Sequence, residues 1–119
     1  MTHIKTYDPE NEYFFVEGCY INELSNGSGD PDGSIARARV TPGVTTQWHR
    51  LSNTTERYVI LEGKGEVEVG DSAPKQVKIG DVVIIPPQTR QRIRNSGEQD
   101  LVFLAICSPR FHEKNYIDS

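Results

Sequence analysis

The sequence is poor in the features that mark several classes of protein. Its 119 residues include only two cysteines, one methionine and one tryptophan, and two cysteines are too few for the disulfide framework of a small secreted domain. The first ten residues, MTHIKTYDPE, contain no apolar stretch like that of a signal peptide. No apolar run approaches the length of a membrane span. These absences predict a cytoplasmic protein with free thiols and no membrane partner.

The charge balance argues against nucleic acid as a partner. The formal net charge is -4, whereas binding to nucleic acid depends on clustered Lys and Arg that neutralise phosphates. Arg90, Arg92 and Arg94 alternate along one segment and therefore share one strand face. We interpret this stripe as a solvated outer face that meets acidic neighbours. The predicted partner is a small-molecule ligand.

Short alternating segments separated by turn-forming residues predict an all-β fold. Residues 35–40, IARARV, alternate small or apolar residues with arginines, and residues 66–69, EVEV, alternate cleanly. Clusters rich in Gly, Pro, Asn and Asp divide such segments, and many short strands at close spacing indicate a sandwich or barrel. The length fits one domain. We expect a single domain over 1–119, with a barrel core at about 35–108, an N-terminal arm and strand at 1–24 and a tail at 109–119.

Side-chain phase places a group of polar residues on the inner face of the predicted barrel. Gln47 and His49 lie two apart and so share one strand face, and a short turn brings Glu56 close to His49. Gln91 points inward if the neighbouring arginines point to water. Such groups are costly to bury unless they are paired or bound to something. The same phase predicts three further residues that line the pocket, namely Tyr58, Ile60 and Ile93.

The polar group allows two interpretations. An imidazole and a carboxylate are good ligands for divalent transition metals, and amide oxygens can complete the shell, which makes His49, Glu56, Gln91 and Gln47 the predicted metal ligands. Alternatively, the four side chains form a hydrogen-bonded cluster in which His49 donates to Glu56. One histidine and one acid are not specific for a metal, so spacing alone leaves both interpretations open.

One segment resembles the first motif of the cupin family. Five residues separate Gly43 from His49, Glu56 follows after a short turn, and six residues lead to Gly63. The family motif runs Gly, five residues, His-x-His, three or four residues, Glu, six residues, Gly. The spacing agrees, but Leu51 stands where the second histidine belongs.

A later segment is similar to the second cupin motif. Five residues separate Gly80 from Pro86, and Gln91 and Asn95 follow at the family spacing. In the family motif a glycine stands at the position of Gln88 and a histidine at that of Gln91.

The resemblance implies the double-stranded β-helix of cupins, a jelly-roll barrel. In typical cupins the two histidines and the glutamate of the first motif and the histidine of the second bind one metal ion, and here only His49 and Glu56 keep their identity. The resemblance therefore implies Fe, Mn, Ni or Zn held weakly, or no metal. Small cupins commonly form dimers, so a homodimer is predicted. Val59 and Leu61 lie opposite Glu56, and we expect the N-terminal strand or a second subunit to cover them.

Three functions fit these features. The first is a metal-dependent enzyme acting on a small organic acid, sugar or phenolic compound. The second is a metal-free module that binds or senses a small ligand. The third is a metal-independent isomerase or cyclase with Glu56 and His49 as catalytic residues, because a carboxyl desolvated in an apolar barrel has a raised pKa and can serve as an acid or a base.

Overall fold

The computed structural model describes residues 3–119 and is built almost entirely of β-strands. Within these residues, eleven strands form two antiparallel sheets, which confirms the all-β prediction. The helical segments of the described chain are single 3-10 turns, and none is long and apolar enough to cross a membrane. The strands are β1 (Tyr13–Phe15), β2 (Cys19–Ser25), β3 (Ser34–Val40), β4 (His49–Leu51), β5 (Thr55–Glu62), β6 (Lys64–Val69), β7 (Lys75–Lys78), β8 (Val82–Ile85), β9 (Gln91–Asn95), β10 (Leu101–Ser108) and β11 (Tyr116–Asp118).

The chain crosses repeatedly between the two sheets. The larger sheet has the order β1-β2-β3-β10-β5-β8, and the smaller has the order β11-β4-β9-β6-β7. From β4 onward the chain passes from the smaller sheet to the larger and back, so that β5, β8 and β10 alternate with β4, β6–β7 and β9. This crossing path is the double-stranded β-helix that the two motifs predicted.

Alternation along the strands creates one core between the sheets. In β5 the side chains of Glu56, Tyr58 and Ile60 are buried, and those between them are more exposed. In β9 the same period buries Gln91 and Ile93. A shift of one residue in either strand would expose its core face, and each apolar side chain lost from the core, such as Ile60 or Ile93, would cost roughly 1.5–3 kcal/mol.

The arginine stripe lies on the outer face, as the alternation predicted. Two of its members also flank Trp48, with the guanidinium carbons of Arg90 and Arg92 at 4.2 and 4.4 Å from the ring centroid. Each arginine meets an acidic neighbour, so the stripe is balanced by charges of the same chain. The pairs are Arg90 with Asp71, Arg92 with Glu68, and Arg94 with Glu66.

Both ends of the described chain carry structure that periodicity did not predict. The strand expected within 1–24 is two strands, because a turn at 16–18 folds β2 back on β1, with the Gly18 N–H donating to the Phe15 carbonyl at 3.0 Å. The tail at 109–119 supplies β11, which pairs with β4. A three-residue strand is too short to show a period, so only its pairing partner reveals it.

An apolar patch covers the outer face of the larger sheet near its β8 edge. Leu61, Val82 and Ile84 are 41%, 57% and 63% exposed. The expectation that the N-terminal strand covers this face is wrong, because β1 lies at the opposite edge of the sheet. A second subunit remains the predicted cover.

Candidate functional site

A cavity lies between the two sheets, with walls that are mainly apolar and aromatic. Its volume is about 70 Å³, several times what one bound water requires. Three acidic side chains and one imidazole reach its wall, namely Glu17, Glu23, Glu56 and His49. Its aromatic wall consists of Tyr13, Phe15, Tyr58, Phe103, Phe111 and Tyr116.

His49 is held by two acceptors, one at each ring nitrogen. Its Nδ1 lies 2.9 Å from the Gln47 carbonyl oxygen, and its Nε2 lies 3.1 Å from Oε2 of Glu17. Because a carbonyl can only accept, Nδ1 carries a hydrogen. The contacts at Nδ1 and Nε2 together fix the orientation of the His49 ring. The bond from His49 to Glu56 that the cluster interpretation proposed is not formed.

The Glu17 carboxyl is fixed by the tail strand and by β2. The Tyr116 ring stacks on His49 with centroids 5.1 Å apart and planes at 15°, and its hydroxyl donates to Oε2 of Glu17 at 3.5 Å. On the other side, the Cys19 thiol donates to Oε1 of Glu17 at 3.0 Å. Burial and the nearby Glu17 charge raise the pKa of both the Cys19 thiol and the Tyr116 hydroxyl, so both groups stay protonated and act as donors.

The Glu56 carboxyl is buried and lies in a separate hydrogen-bonded chain. Its Oε1 accepts from the amide of Gln91, whose oxygen in turn accepts from the Tyr58 hydroxyl at 2.5 Å. The Cys107 thiol lies 3.9 Å from Oε2. Desolvation by burial, and then the charge of Glu17, raise the pKa of Glu56 to about 8, although the bonds from Gln91 and Cys107 act in the opposite direction. At neutral pH the Glu56 carboxyl is mostly uncharged.

The sequence-predicted site residues divide into those that reach the cavity and those that lie behind it. Glu56, His49 and Tyr58 line the cavity. Gln91 lies behind, as the bridge between Tyr58 and Glu56. The predicted pocket residues Ile60 and Ile93 instead pack in the core, each 1% exposed, because the core lies farther along these strands than the cavity.

Gln47 does not join the pocket. Its side chain is exposed, and regular strand begins only at His49, so the two-residue period that placed both on one face does not extend back to position 47. The backbone of Gln47 nevertheless serves the site. Its N–H donates to the Glu17 carbonyl at 2.8 Å, and its carbonyl orients His49.

The two side chains that contact the His49 ring, Glu17 and Tyr116, were not predicted from the sequence. The sequence context of Glu17 could have indicated its role, because Glu17 lies between Val16 and Gly18 in an otherwise apolar segment. An acid that is buried in such a segment has to be paired. No sequence pattern indicates the role of Tyr116, since this residue reaches His49 only through the pairing of β11 with β4.

The donor atoms do not fit the metal centre that the cupin resemblance implies. Leu51 offers no ligand atom, and Gln91 turns its amide nitrogen to Glu56 and its oxygen to Tyr58. Both nitrogens of His49 have protein partners. Among residues 3–119, no group of three or more His, Cys, Asp or Glu side chains is arranged to hold a metal ion. Of the four predicted ligands, His49, Glu56 and Gln91 lie together in the interior, and Gln47 is exposed.

The Tyr58–Gln91–Glu56 chain leads to a prediction on stability. Tyr58→Phe leaves the buried oxygen of Gln91 without its donor, and we expect a loss of about 1–3 kcal/mol in the free energy of unfolding. Urea unfolding measures the loss, with Tyr7→Phe at a half-exposed tyrosine as the control. Equal losses in the two variants would contradict a structural role for this chain.

Three comparisons place the chain among known proteins. It is 36% identical to the uncharacterized protein MJ1618 of Methanocaldococcus jannaschii over 98% of this chain and 96% of that protein. It is 34% identical to the oxalate-binding protein of Thermotoga maritima over 60% of this chain and 59% of that protein. The structure of the Streptomyces nucleoside dehydratase Pac13 superposes with a TM-score of 0.80 and 19% identity, over 100% of this chain and 92% of that one, which shows a shared fold alone.

The family assignment rests on sequence and fold together. The profile of the cupin domain matches residues 36–107, which span both motifs and nearly all of the barrel. The crossing of the strands between two sheets is the same fold. This chain belongs to the cupin domain family.

Proposed function

We propose that this protein is a metal-independent acid–base enzyme that moves a proton on a small organic molecule. The observation that carries the proposal is the buried carboxyl of Glu56, which faces the cavity with a pKa of about 8, together with the Glu17–His49 pair on the same wall. A base with a pKa near the working pH combines a useful ionised fraction with a strong pull on the proton. Catalytic sites are where such shifts concentrate.

Glu56 is the group that takes and returns the proton. Its ionised form removes a proton from a carbon next to a carbonyl group, and the resulting carboxylic acid returns that proton to the same carbon. In an α-hydroxy carbonyl compound, the hydroxyl proton can first pass to the enolate oxygen, and the carboxylic acid then returns its proton to the former carbonyl carbon. The electron pair of the broken C–H bond passes to the carbonyl oxygen, which becomes an enolate. The reaction is then an isomerisation or a reversible exchange, and its atoms and charges balance without a co-reactant.

The negative charge passes from Glu56 to the enolate oxygen, so the cavity holds no additional charge during the reaction. The Glu17–His49 pair polarises the carbonyl oxygen of the bound compound through its own dipole, and the Gln47 carbonyl and the Glu17 carboxyl hold the ring in a fixed orientation. Dipoles that are already oriented lower the barrier because they need no reorganisation. Tyr116 and Cys19 position this pair through Glu17.

Proton exchange in heavy water tests the proposal without knowledge of the natural substrate. The protein is incubated in D₂O with small hydroxy ketones, hydroxy aldehydes and phenolic ketones, and proton NMR follows the loss of C–H signals. We expect exchange with at least one compound, and a rate that rises with pH about tenfold per unit below the pKa of Glu56 and then levels off. Glu56→Gln is expected to reduce exchange to the background rate.

Matched controls separate this mechanism from its alternatives. Glu98→Gln, at an exposed position, is expected to leave exchange unchanged. Exchange that a chelator abolishes and Fe, Mn, Ni or Zn restores would favour the metal-dependent function instead. Exchange that is equally fast in the wild type and in Glu56→Gln would refute the role of Glu56.

A second candidate function is ligand binding without turnover. The similarity to a protein named for oxalate binding supports this alternative. The two functions differ in one result, because a binding module gives ligand-dependent thermal stabilisation with no exchange for any compound that binds.

A further inference from the structure

We infer that the ligand of this cavity carries no negative charge, and that it is an uncharged hydroxyl or carbonyl compound with an apolar body. This inference rests on the proposed function, since it concerns the same cavity. It departs from the organic acids that the sequence allowed and from the oxalate for which one relative is named.

The charges of the cavity wall carry the inference. Glu17 and Glu56 line the cavity as buried residues, Glu23 lies at its rim as an exposed residue, and the only basic group among the described lining residues is His49. Its imidazole is already committed to Glu17 at 3.1 Å. Within residues 3–119, no lysine or arginine lines this wall.

The arginines of the neighbouring strands are turned away and already have partners. Arg39 binds Glu12 through two nitrogens and Asp100 through a third contact, and Arg57 donates to the Ser108 hydroxyl at 2.9 Å. None of them can rotate into the cavity without losing these bonds. A carboxylate ligand that enters the interior of the cavity would therefore find no free counter-ion and would lie beside Glu17 and Glu56.

Burial of an unpaired anion is costly because the ion loses its hydration without a compensating charge. An uncharged compound avoids this cost and still finds polar partners. The mostly neutral carboxyl of Glu56 can donate to or accept from a hydroxyl or carbonyl group, and the wall around it offers aromatic faces such as Phe15 and Phe103 to an apolar body.

A matched set of probes tests the charge of the ligand directly. Benzyl alcohol and benzoate share a ring and differ in charge, and oxalate represents the small dianion. We expect NMR titration at neutral pH to give a dissociation constant for benzyl alcohol about tenfold or more below that for benzoate, with no saturable binding of oxalate. Ala36→Leu, which fills the cavity wall, is expected to weaken binding of the alcohol, and Ala73→Leu at an exposed position is expected to leave it unchanged.

The outcomes distinguish this inference from the proposed function. Tighter binding of benzoate or oxalate than of benzyl alcohol, or no binding of the alcohol, would overturn the inference while leaving the exchange activity of Glu56 to stand on its own measurement. Preference for the alcohol without any exchange activity would support the inference and overturn the proposed enzyme.

Discussion

The free energy of unfolding of this protein is expected to fall by a few kcal/mol between about pH 4.5 and pH 8, and Glu56→Gln is expected to remove this fall. The reason is the pKa of Glu56, which burial and the charge of Glu17 raise from 4.5 to about 8 in the folded protein. Each pKa unit is worth about 1.4 kcal/mol of differential stability.

The direction follows from proton binding. Between these two pH values the folded chain holds a proton on Glu56 that the unfolded chain releases, so stability decreases as the pH rises. The stabilising effect of the proton is fully present below pH 4.5 and is lost as the pH rises through about 8. Glutamine is an uncharged mimic of the protonated acid, and it can still accept from Gln91, so the variant should fold without this dependence.

Urea unfolding at a series of pH values measures the effect. The difference in unfolding free energy between the wild type and Glu56→Gln is the relevant quantity, because it cancels groups that titrate in both proteins, including Glu12, whose pKa the hydrogen bond from Arg39 lowers. Glu98→Gln serves as the surface control. Parallel curves of unfolding free energy against pH for the wild type and Glu56→Gln would show that Glu56 is ionised in the folded protein. Infrared detection of a protonated carboxyl at neutral pH provides a second measurement.

Gly63→Ala is expected to destabilise the barrel by about 3 kcal/mol or more. Gly63 joins β5 to β6 with a φ of +77°, and a Cβ there would lie 2.6 Å from the Asp100 carbonyl oxygen and 3.1 Å from Cα of Leu101. Both atoms belong to backbone, and Leu101 is fully buried at the start of β10. A side chain at position 63 therefore has to displace a core strand.

Gly43→Ala is the matched control, because the two motif glycines share a backbone conformation but not an environment. Gly43 has a φ of +80° and no atom within 4 Å of a Cβ. We expect it to show only the cost of a left-handed backbone, about 1–2 kcal/mol. Equal losses of unfolding free energy for Gly43→Ala and Gly63→Ala in urea unfolding would contradict the prediction. They would mean that the backbone at Asp100 moves away from the new Cβ without a cost in stability.

The parts of the site that lie in regular strands could be predicted from the sequence. The positions of Glu56 and Tyr58 on the inner face of β5 follow from the two-residue period, and the stripe that includes Arg92 lies on the outer face for the same reason. The period could not say how deep a residue lies along its strand, so Ile93 is core rather than pocket. It also failed at Gln47, because a period has meaning only where the backbone is a strand.

By itself, the sequence determined the barrel and one acid of the pocket, because motif spacing and strand period are local properties of a chain. Only the tertiary structure brought Tyr116 to Glu17, 99 residues apart, and placed both at His49. The charge of Glu56 is also decided by the tertiary structure alone. The pKa of a carboxyl depends on how much water and which charges surround it, and that surrounding is assembled from strands distant in the sequence.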